Sequence, residues 1–571
     1  MQPNMQSNIQ PNILQDQGKT DCPLADGPLG GPIPFVSGHW RTCVLVAAGL
    51  ILAVYLASVN GWWWMGTDSG LYLNLARSLQ RGQGYSLAGI PSAHVPPLFP
   101  ACIAGLSAMG LGSYLALNTA MCLVGLAGIL CVYFLLKCLV HRDWALVITV
   151  ALALGHEMLQ RSGELLSDVP FMLVITLALL LYYRGLRNCG KGWAWTLACL
   201  CLVASCWLRV VGFAAAFGAG LGLLLAGWRS ARRRTILNLG LLVLGVLLSL
   251  AVFYPAYKAG AGAISGSYSS IISRGGNWSP WLRLVATPAG AVYDGSGQLS
   301  RLFFAQKFPL PLCLAVLVLP IVVGWARRLR HGDYLGPAIL CCYLGAHVMT
   351  MLTVRTRYFL PIMPLLLVYF LEGAVCCTSA IASLAGRWRS RDEETPSQAI
   401  APQVGVAIAA GLLALIVAMN LPMVGRHIYT KHVGNFYAYF ENGKWRDDYE
   451  LAQLLKARRI DGNVLASQTI GQLADLPTPD VADKSLRNKT SPAQLRGILS
   501  KLDAELVVLD LNDPTVIGQA VMDQLGKDAA IYSVGKLRVF DAKPILMNEV
   551  PRRPASTSTS TQSATSAGCM P

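Results

Sequence analysis

The sequence predicts an α-helical polytopic membrane protein of about eleven transmembrane helices with a small C-terminal extracytoplasmic α/β domain. Three observations lead there. Of 571 residues, 54% are hydrophobic and only 13% charged, too apolar and too sparsely charged for a soluble globule. Apolar runs approaching the roughly 20 residues that cross a hydrocarbon core of about 30 Å recur along the chain. The arginines gather in short runs between them, such as Trp228 to Arg234 and Arg327 to His331. Basic loops of that kind mark the cytoplasmic side of a membrane protein, so the net charge of +16 does not imply a nucleic-acid partner.

The first 40 residues, rich in Asn, Gln, Gly and Pro, are expected to be disordered and cytoplasmic. The predicted spans lie near 41–60, 114–140, 143–156, 169–185, 193–208, 211–228, 236–257, 308–326, 334–353, 358–378 and 403–424, forming a transmembrane domain over 41–425. The third is short, and the fifth and sixth are divided only around Arg209. With the N-terminus inside, every basic loop falls in the cytoplasm. The loop holding Asp68, the loop holding Glu164 and Asp168, the stretch 258–307, the turn at Arg355 to Arg357 and everything after about 425 then fall outside. Residues 426–545 alternate charged helical stretches with short apolar runs, the pattern of a small α/β domain. The Ser/Thr-rich tail, 546–571, is expected to be disordered. Most of the 16 cysteines lie inside apolar runs and none forms a CxxC pair, so they are expected to pack as small apolar groups.

Chemistry is looked for where charge meets the membrane boundary. Asp68 follows the first span and opens an amphipathic stretch that includes Tyr72, Leu75 and Leu79; Gly82 and Gly84 end it, and Pro96, Pro97 and Pro100 bracket a further helix dipping back toward the bilayer. An acid at this depth is a functional-site candidate, and also a good helix cap. Glu164 and Asp168 stand directly before the fourth span, with Pro170 in its first turn, and the same two readings apply. Arg355 and Arg357, in VRTRYFLPIMP, open the tenth span. Guanidinium matches phosphate oxygens at headgroup depth, though an interfacial arginine also snorkels to water. Arg209, flanked by apolar residues, marks either a turn or a third cation of the same kind.

An aspartate after the first span, a tyrosine-containing amphipathic helix, PPLFP, SDVPF and RYFLPIMP, in that order, resemble the GT-C class of multi-spanning glycosyltransferases. The likeness is to the bacterial protein O-mannosyltransferase and aminoarabinose transferase superfamily and covers about residues 40–380. It implies transfer of a sugar from a polyprenyl-phosphate carrier to a lipid, glycan or protein acceptor of the cell envelope, at the extracytoplasmic face of a bacterial cytoplasmic membrane. Carried onto this chain, Asp68 matches the catalytic first-loop acid and Asp168 the second-loop acid, which in some members helps hold a divalent metal; magnesium or manganese suits oxygen ligands, and carboxylates also take zinc. Arg357 matches a carrier-phosphate contact, with Arg355 and Arg209 as further candidates. Tyr72, His94, Glu164 and Tyr358 are expected to meet substrate. The pattern departs from relatives at Ser69, where many carry glutamate, and at Val95, where aminoarabinose transferases carry lysine before the paired prolines; His94 stands one position earlier.

The Gly- and Ser-rich stretch 258–307, with Lys258, Arg274 and Arg283, is expected to be a mobile lid or plain disorder. A different class of function, a polyprenyl-lipid-binding scaffold or a transporter of lipid or sugar, also fits many spans and interfacial charge. A transporter is expected to show an internal repeat of spans, which the sequence does not display.

Overall fold

A computed structural model of the chain describes residues 28–65, 67–87, 90–92, 95–187, 192–227, 232–261, 295–350, 355–389 and 400–433 and, further on, 445–458, 463–465, 470, 473–474, 499–500, 504–510, 530–535 and 537–542. His94, most of the stretch expected to be a lid, residues 1–27 and residues 543–571 lie outside the described residues, while Pro34–Gly38, within the N-terminal segment expected to be disordered, forms a short helix. The chain divides into two compact units, one formed by Met1–Trp64, Ala93–Ala259 and Ser267–Phe436 and the other by Met65–Ser92, Gly260–Gly266 and Tyr437–Pro571.

The first unit is helical. Its elements are α1 (Pro34–Gly38), α2 (Trp40–Ala57), then, beyond the second unit's α3 (Thr67–Gln80), α4 (Leu98–Ala108), α5 (Tyr114–Leu136), α6 (Arg142–Ala153), α7 (His156–Ser162), α8 (Asp168–Arg187), α9 (Gly192–Leu208), α10 (Gly212–Gly227), α11 (Arg232–Ala261), α12 (Leu310–Arg330, continuous through a π-helical stretch at Leu314–Val318), α13 (Leu335–Thr350), α14 (Met363–Arg389) and α15 (Ile400–His432). Among the described residues, seven segments are long and apolar enough to cross a membrane: Trp40–Ala57, Tyr114–Leu136, Asp168–Gly185, Thr235–Val252, Leu310–Arg330, Thr356–Leu384 and Gln403–His432. Four shorter apolar helices, Leu98–Ala108, Trp193–Leu208, Gly212–Leu225 and Leu335–His347, accompany them. The chain is therefore a multi-pass membrane protein.

Each of the eleven expected spans coincides with a helix, with two differences that have physical causes. The third, α6, has only 12 residues, about 18 Å of rise, and the chain turns at Gly155 into the short α7. The tenth begins as α-helix only at Met363, preceded by two 3₁₀ turns at Thr356–Tyr358 and Leu360–Ile362. Pro361 and Pro364 have no amide proton to close α-helical bonds to residues four back, so the RTRYFL segment cannot join the helix.

The segment Thr356–Leu384 is the centre of the unit, 94% of its apolar window being buried, whereas Thr235–Val252 is 22% buried and turns Leu244, Leu247 and Leu248 outward. α14 packs backbone to backbone on α12, because Gly324 faces the Tyr369 carbonyl and Gly373 faces the Pro320 carbonyl with no room for a Cβ on either. Partway along α14, Arg328 Nε donates to Glu372 Oε2 at 2.8 Å and its Nη2 donates to the Leu139 carbonyl at 2.7 Å, and the Tyr183 hydroxyl donates to Asp333 Oδ1 at 2.8 Å. Arg328, Asp333 and Glu372 are all buried. Burial costs such charges less when each meets an opposite charge and good donors. Tyr183 and Asp168 both belong to α8, 15 residues apart in sequence, so the two ends of this helix mark two ends of the unit. The candidate residues Glu164, Asp168, Arg209 and Arg357 fall at the Asp168 end.

The second unit holds α3, a two-stranded ribbon of β1 (Ser86–Leu87) and β2 (Ile90–Pro91), α16 (Arg446–Ala457) and a four-stranded sheet of β3 (Asn463–Leu465), β4 (Ala504–Asp510), β5 (Tyr532–Val534) and β6 (Leu537–Asp541) in the order β3-β4-β6-β5. β3 pairs parallel to β4 and the rest are antiparallel. Leu451, Ala452 and Leu455 of α16 pack with Val464, Leu537 and Val539 to form its core. Gly535, at φ 52°, makes the β5–β6 turn, a backbone conformation that a side chain disfavours.

Candidate functional site

Three breaks between helices place the chemistry at one end of the first unit. Ser167 and Asp168 begin α8, where Pro170 is tolerated because the first turn has no amide bonds to lose. Arg209 lies where α9 stops and α10 starts; its amide donates to the Ser205 carbonyl at 3.0 Å and its carbonyl accepts from Gly212 at 2.9 Å. Gly212 is required there, since a Cβ would come within 2.5 Å of the Ser205 carbonyl group. The third break is the 3₁₀ turn that carries Arg355, Thr356, Arg357 and Tyr358.

These breaks bring four of the expected site residues together. Arg209 Nη1 lies 2.6 Å from Asp168 Oδ1, the two side chains being 16% and 2% exposed. The Arg209 guanidinium stands 5.7 Å from the centre of the Tyr358 ring, and that of Arg357 stands 5.3 Å from it, both within cation–π range. Tyr358 in turn stacks on His347 with centroids 5.1 Å apart, His347 meets the edge of Tyr343 at 4.8 Å, and the Tyr343 hydroxyl donates to the Tyr358 carbonyl at 2.7 Å. Two cations thus rest against one face-exposed aromatic residue that is itself braced by a buried imidazole and a phenol. Arg355 is exposed at the start of the turn and Arg357 is partly exposed.

The other expected residues are placed differently. Glu164 is buried, with Oε2 at 2.5 Å from Arg161 Nη1 and Oε1 accepting from Gln160 at 2.9 Å. Asp68, half-buried, and Tyr72, buried, lie on α3 of the second unit. Asp168 does not suit a divalent cation as it stands, because its negative charge already faces the Arg209 guanidinium; among the described residues no group of three His, Cys, Asp or Glu side chains is arranged to hold a metal.

Sequence reading missed His347, Tyr343, Glu157 and Thr356. His347 and Tyr343 lie inside an apolar run, which carries no local signal of a site. Thr356 donates to Glu157 Oε1 at 2.6 Å across 199 residues of sequence, a pairing with no local signal. Beside it, Lys431 is buried with Nζ 3.4 Å from the Gly163 carbonyl and 5.2 Å from the Trp64 ring centre. A narrow cleft of about 10 Å³ opens between Leu152, Glu157, Met158, Leu360, Met363 and Asn420.

No protein-family model matches the chain, and no curated protein matches it significantly. Solved structures do match by fold. ArnT from Cupriavidus metallidurans bound to undecaprenyl phosphate superposes with a TM-score of 0.51 at 14% identity, over 87% of this chain and 97% of that one. The same protein in the apo state gives 0.50 at 14% identity, over 90% and 100%. The archaeal oligosaccharyltransferase AglB from Archaeoglobus fulgidus, in complex with an inhibitory peptide and a dolichol-phosphate, gives 0.51 at 12% identity, over 84% and 70%. The chain has the GT-C glycosyltransferase fold that the order of its sequence motifs led us to expect.

Proposed function

We propose that this protein is a membrane glycosyltransferase that moves a sugar from a polyprenyl-phosphate carrier to a lipid, glycan or protein acceptor at the extracytoplasmic face. The observation that supports this most is the pairing of Arg209 and Arg357 around Tyr358 at one end of the helical unit. It occurs in a fold shared with a protein bound to undecaprenyl phosphate and another in complex with a dolichol-phosphate.

In the reaction the acceptor's nucleophilic atom attacks the anomeric carbon, the bond from that carbon to the phosphate oxygen breaks, and its electron pair leaves with the carrier phosphate. Arg357, with Arg355 beside it, neutralises the charge that grows on the departing oxygen. Arg209 is held by Asp168, which fixes its plane against Tyr358; Asp168 acts in this reading as an orienting counter-ion. Asp68 takes the acceptor's proton, a role that rests on the sequence resemblance. Tyr72, His94 and Tyr358 keep the substrate-binding role that the sequence resemblance implies, while Glu164 serves through Arg161. No step is routed through a metal. The basic loops support an N-terminus in the cytoplasm and an arginine end facing outward, in the bacterial cytoplasmic membrane that the sequence resemblance implies.

The test is release of labelled sugar from a panel of polyprenyl-phosphate sugars by purified protein in lipid nanodiscs, wild type beside Asp68→Asn, with and without chelator. Release that needs Asp68 is expected, and the chelator arm decides whether a divalent ion takes part. Failure of every donor, with equal carrier binding by both proteins, favours a carrier-binding scaffold or a transporter instead.

A further inference from the structure

The turn that holds the two candidate phosphate arginines is not rigid by its own hydrogen bonds. Its 3₁₀ bonds are few, Tyr358 to the Arg355 carbonyl at 3.0 Å and Phe359 to the Thr356 carbonyl at 3.0 Å, and Pro361 removes another donor. What fixes it comes from elsewhere. Tyr343 and His347 hold the Tyr358 end, as described above. The Thr356 end is held by α7, through the 2.6 Å hydrogen bond to Glu157 Oε1.

Thr356 is the middle residue of Arg355-Thr356-Arg357 and is buried, while the arginines on either side reach the surface. Anchoring this one hydroxyl therefore sets the direction of both guanidiniums. Glu157 is in turn a fixed acceptor. Its Oε2 accepts from Arg161 Nε at 3.1 Å, Arg161 Nη1 lies 2.5 Å from Glu164 Oε2, and Glu164 Oε1 accepts from Gln160 at 2.9 Å. The helix itself is anchored by the His156 amide, which donates to Asn420 Oδ1 on α15 at 3.0 Å. A hydroxyl on an ionised carboxylate is a strong, directional bond. Arg161 thus holds the Glu157 carboxylate, and Glu164, itself held by Gln160, holds Arg161.

We propose that Glu157 and Thr356 are positioning residues: α7 presents Glu157 as a fixed acceptor that orients the Arg355-Thr356-Arg357 turn toward the phosphate of the polyprenyl carrier. The proposal rests on the carrier-phosphate reading of that turn and deepens it. Neither residue touches the phosphate. Both act through the placement of Arg357 and Arg355, so their effect falls on recognition of the phosphate and not of the isoprenoid chain.

The experiment measures binding of polyprenyl phosphate, and of the matching polyprenol without phosphate, to full-length protein in nanodiscs. The variants are Thr356→Val, Thr356→Ser, Glu157→Ala, the Thr356→Val/Glu157→Ala pair and Arg357→Ala, each with its melting temperature. Thr356→Val is expected to weaken polyprenyl phosphate binding roughly tenfold, the loss typical of a hydrogen bond to a charged group. Thr356→Ser is expected to restore it, and polyprenol binding to stay unchanged. The paired variant is expected to bind no more weakly than Glu157→Ala by itself, the signature of two residues acting through one contact. Wild-type affinity in Thr356→Val alongside a loss in Arg357→Ala overturns the inference while leaving the carrier site standing. An equal loss for polyprenol, following the melting temperature, also overturns it by showing plain structural damage. No phosphate-dependent binding in wild type, or none lost in Arg357→Ala, overturns the carrier reading and the inference with it.

Discussion

At the scale of single residues, the sharpest consequence concerns Asp168 and Arg209. Both are largely buried and 2.6 Å apart, and removing one partner strands the other charge in a poor solvent. Asp168→Asn is expected to cost about 3 kcal/mol, the lower range for breaking a buried pair, and to lower the melting temperature in nanodiscs. Pairing it with Arg209→Gln is expected to recover part of that loss, and a melting temperature lower than either single variant would count against the pair as a stabilising unit. His156 gives a pH dependence. Burial is the main cause that pushes its imidazole below the usual range, with the carboxylate of Glu157 opposing and the cation of Arg161 adding to the depression. The unfolded chain therefore binds this proton more readily than the folded one, so the stabilising difference is present above the ordinary histidine range, near about 6.5, and is lost as pH falls below it. Melting temperatures followed from about pH 7.5 to about pH 5 are expected to fall less steeply in His156→Gln than in wild type. Identical slopes would remove His156 from the account.

At the scale of elements, the contact of α12 with α14 is the least forgiving. Gly373 meets the Pro320 carbonyl and Gly324 the Tyr369 carbonyl without space for a methyl group. Gly373→Ala forces the two backbones apart, at a cost of about 1–3 kcal/mol or more, and is expected to lower the melting temperature by several degrees; an unchanged value would show that the helices can separate freely here. Neither glycine drew notice in the sequence, because small residues in an apolar run look alike until two helices cross. The helices were legible, since a long apolar run has few alternatives, and seven of the described segments are long and apolar enough to cross a membrane. Their boundaries were less so. The tenth span was placed from its hydropathy, which extends through Tyr358 and Phe359, while Pro361 and Pro364 decide where the α-helix begins. Of the candidate residues, Asp168, Arg209 and Arg357 were legible because a charge beside an apolar run stands out in sequence, whatever its burial in the fold. The site was not legible in Glu157, Thr356 or His347, whose roles come from partners distant in sequence. Glu164 was read as a substrate contact because an interfacial acid looks the same whether it faces a ligand or, as here, Arg161.

At the scale of the whole molecule, the account divides the helical unit into an arginine and aromatic end and an opposite end held by Arg328, Glu372 and Asp333. In the topology we propose from the basic loops, the second end faces the cytoplasm. A membrane-impermeant thiol reagent applied to intact cells is expected to label Arg355→Cys above the wild-type background and to leave Arg330→Cys unlabelled until the membrane is opened; both positions are exposed. The reverse pattern would invert the topology. The central claim is that the arginine end receives the carrier phosphate. A polyprenyl phosphate with a photoreactive group next to its phosphate, cross-linked to the protein in nanodiscs and mapped by mass spectrometry, tests it most directly. Adducts within 355–358 and around Arg209 are expected, and polyprenyl phosphate without the label should compete them away. Competable adducts confined to the opposite end, around Arg327 to Arg330, would contradict it.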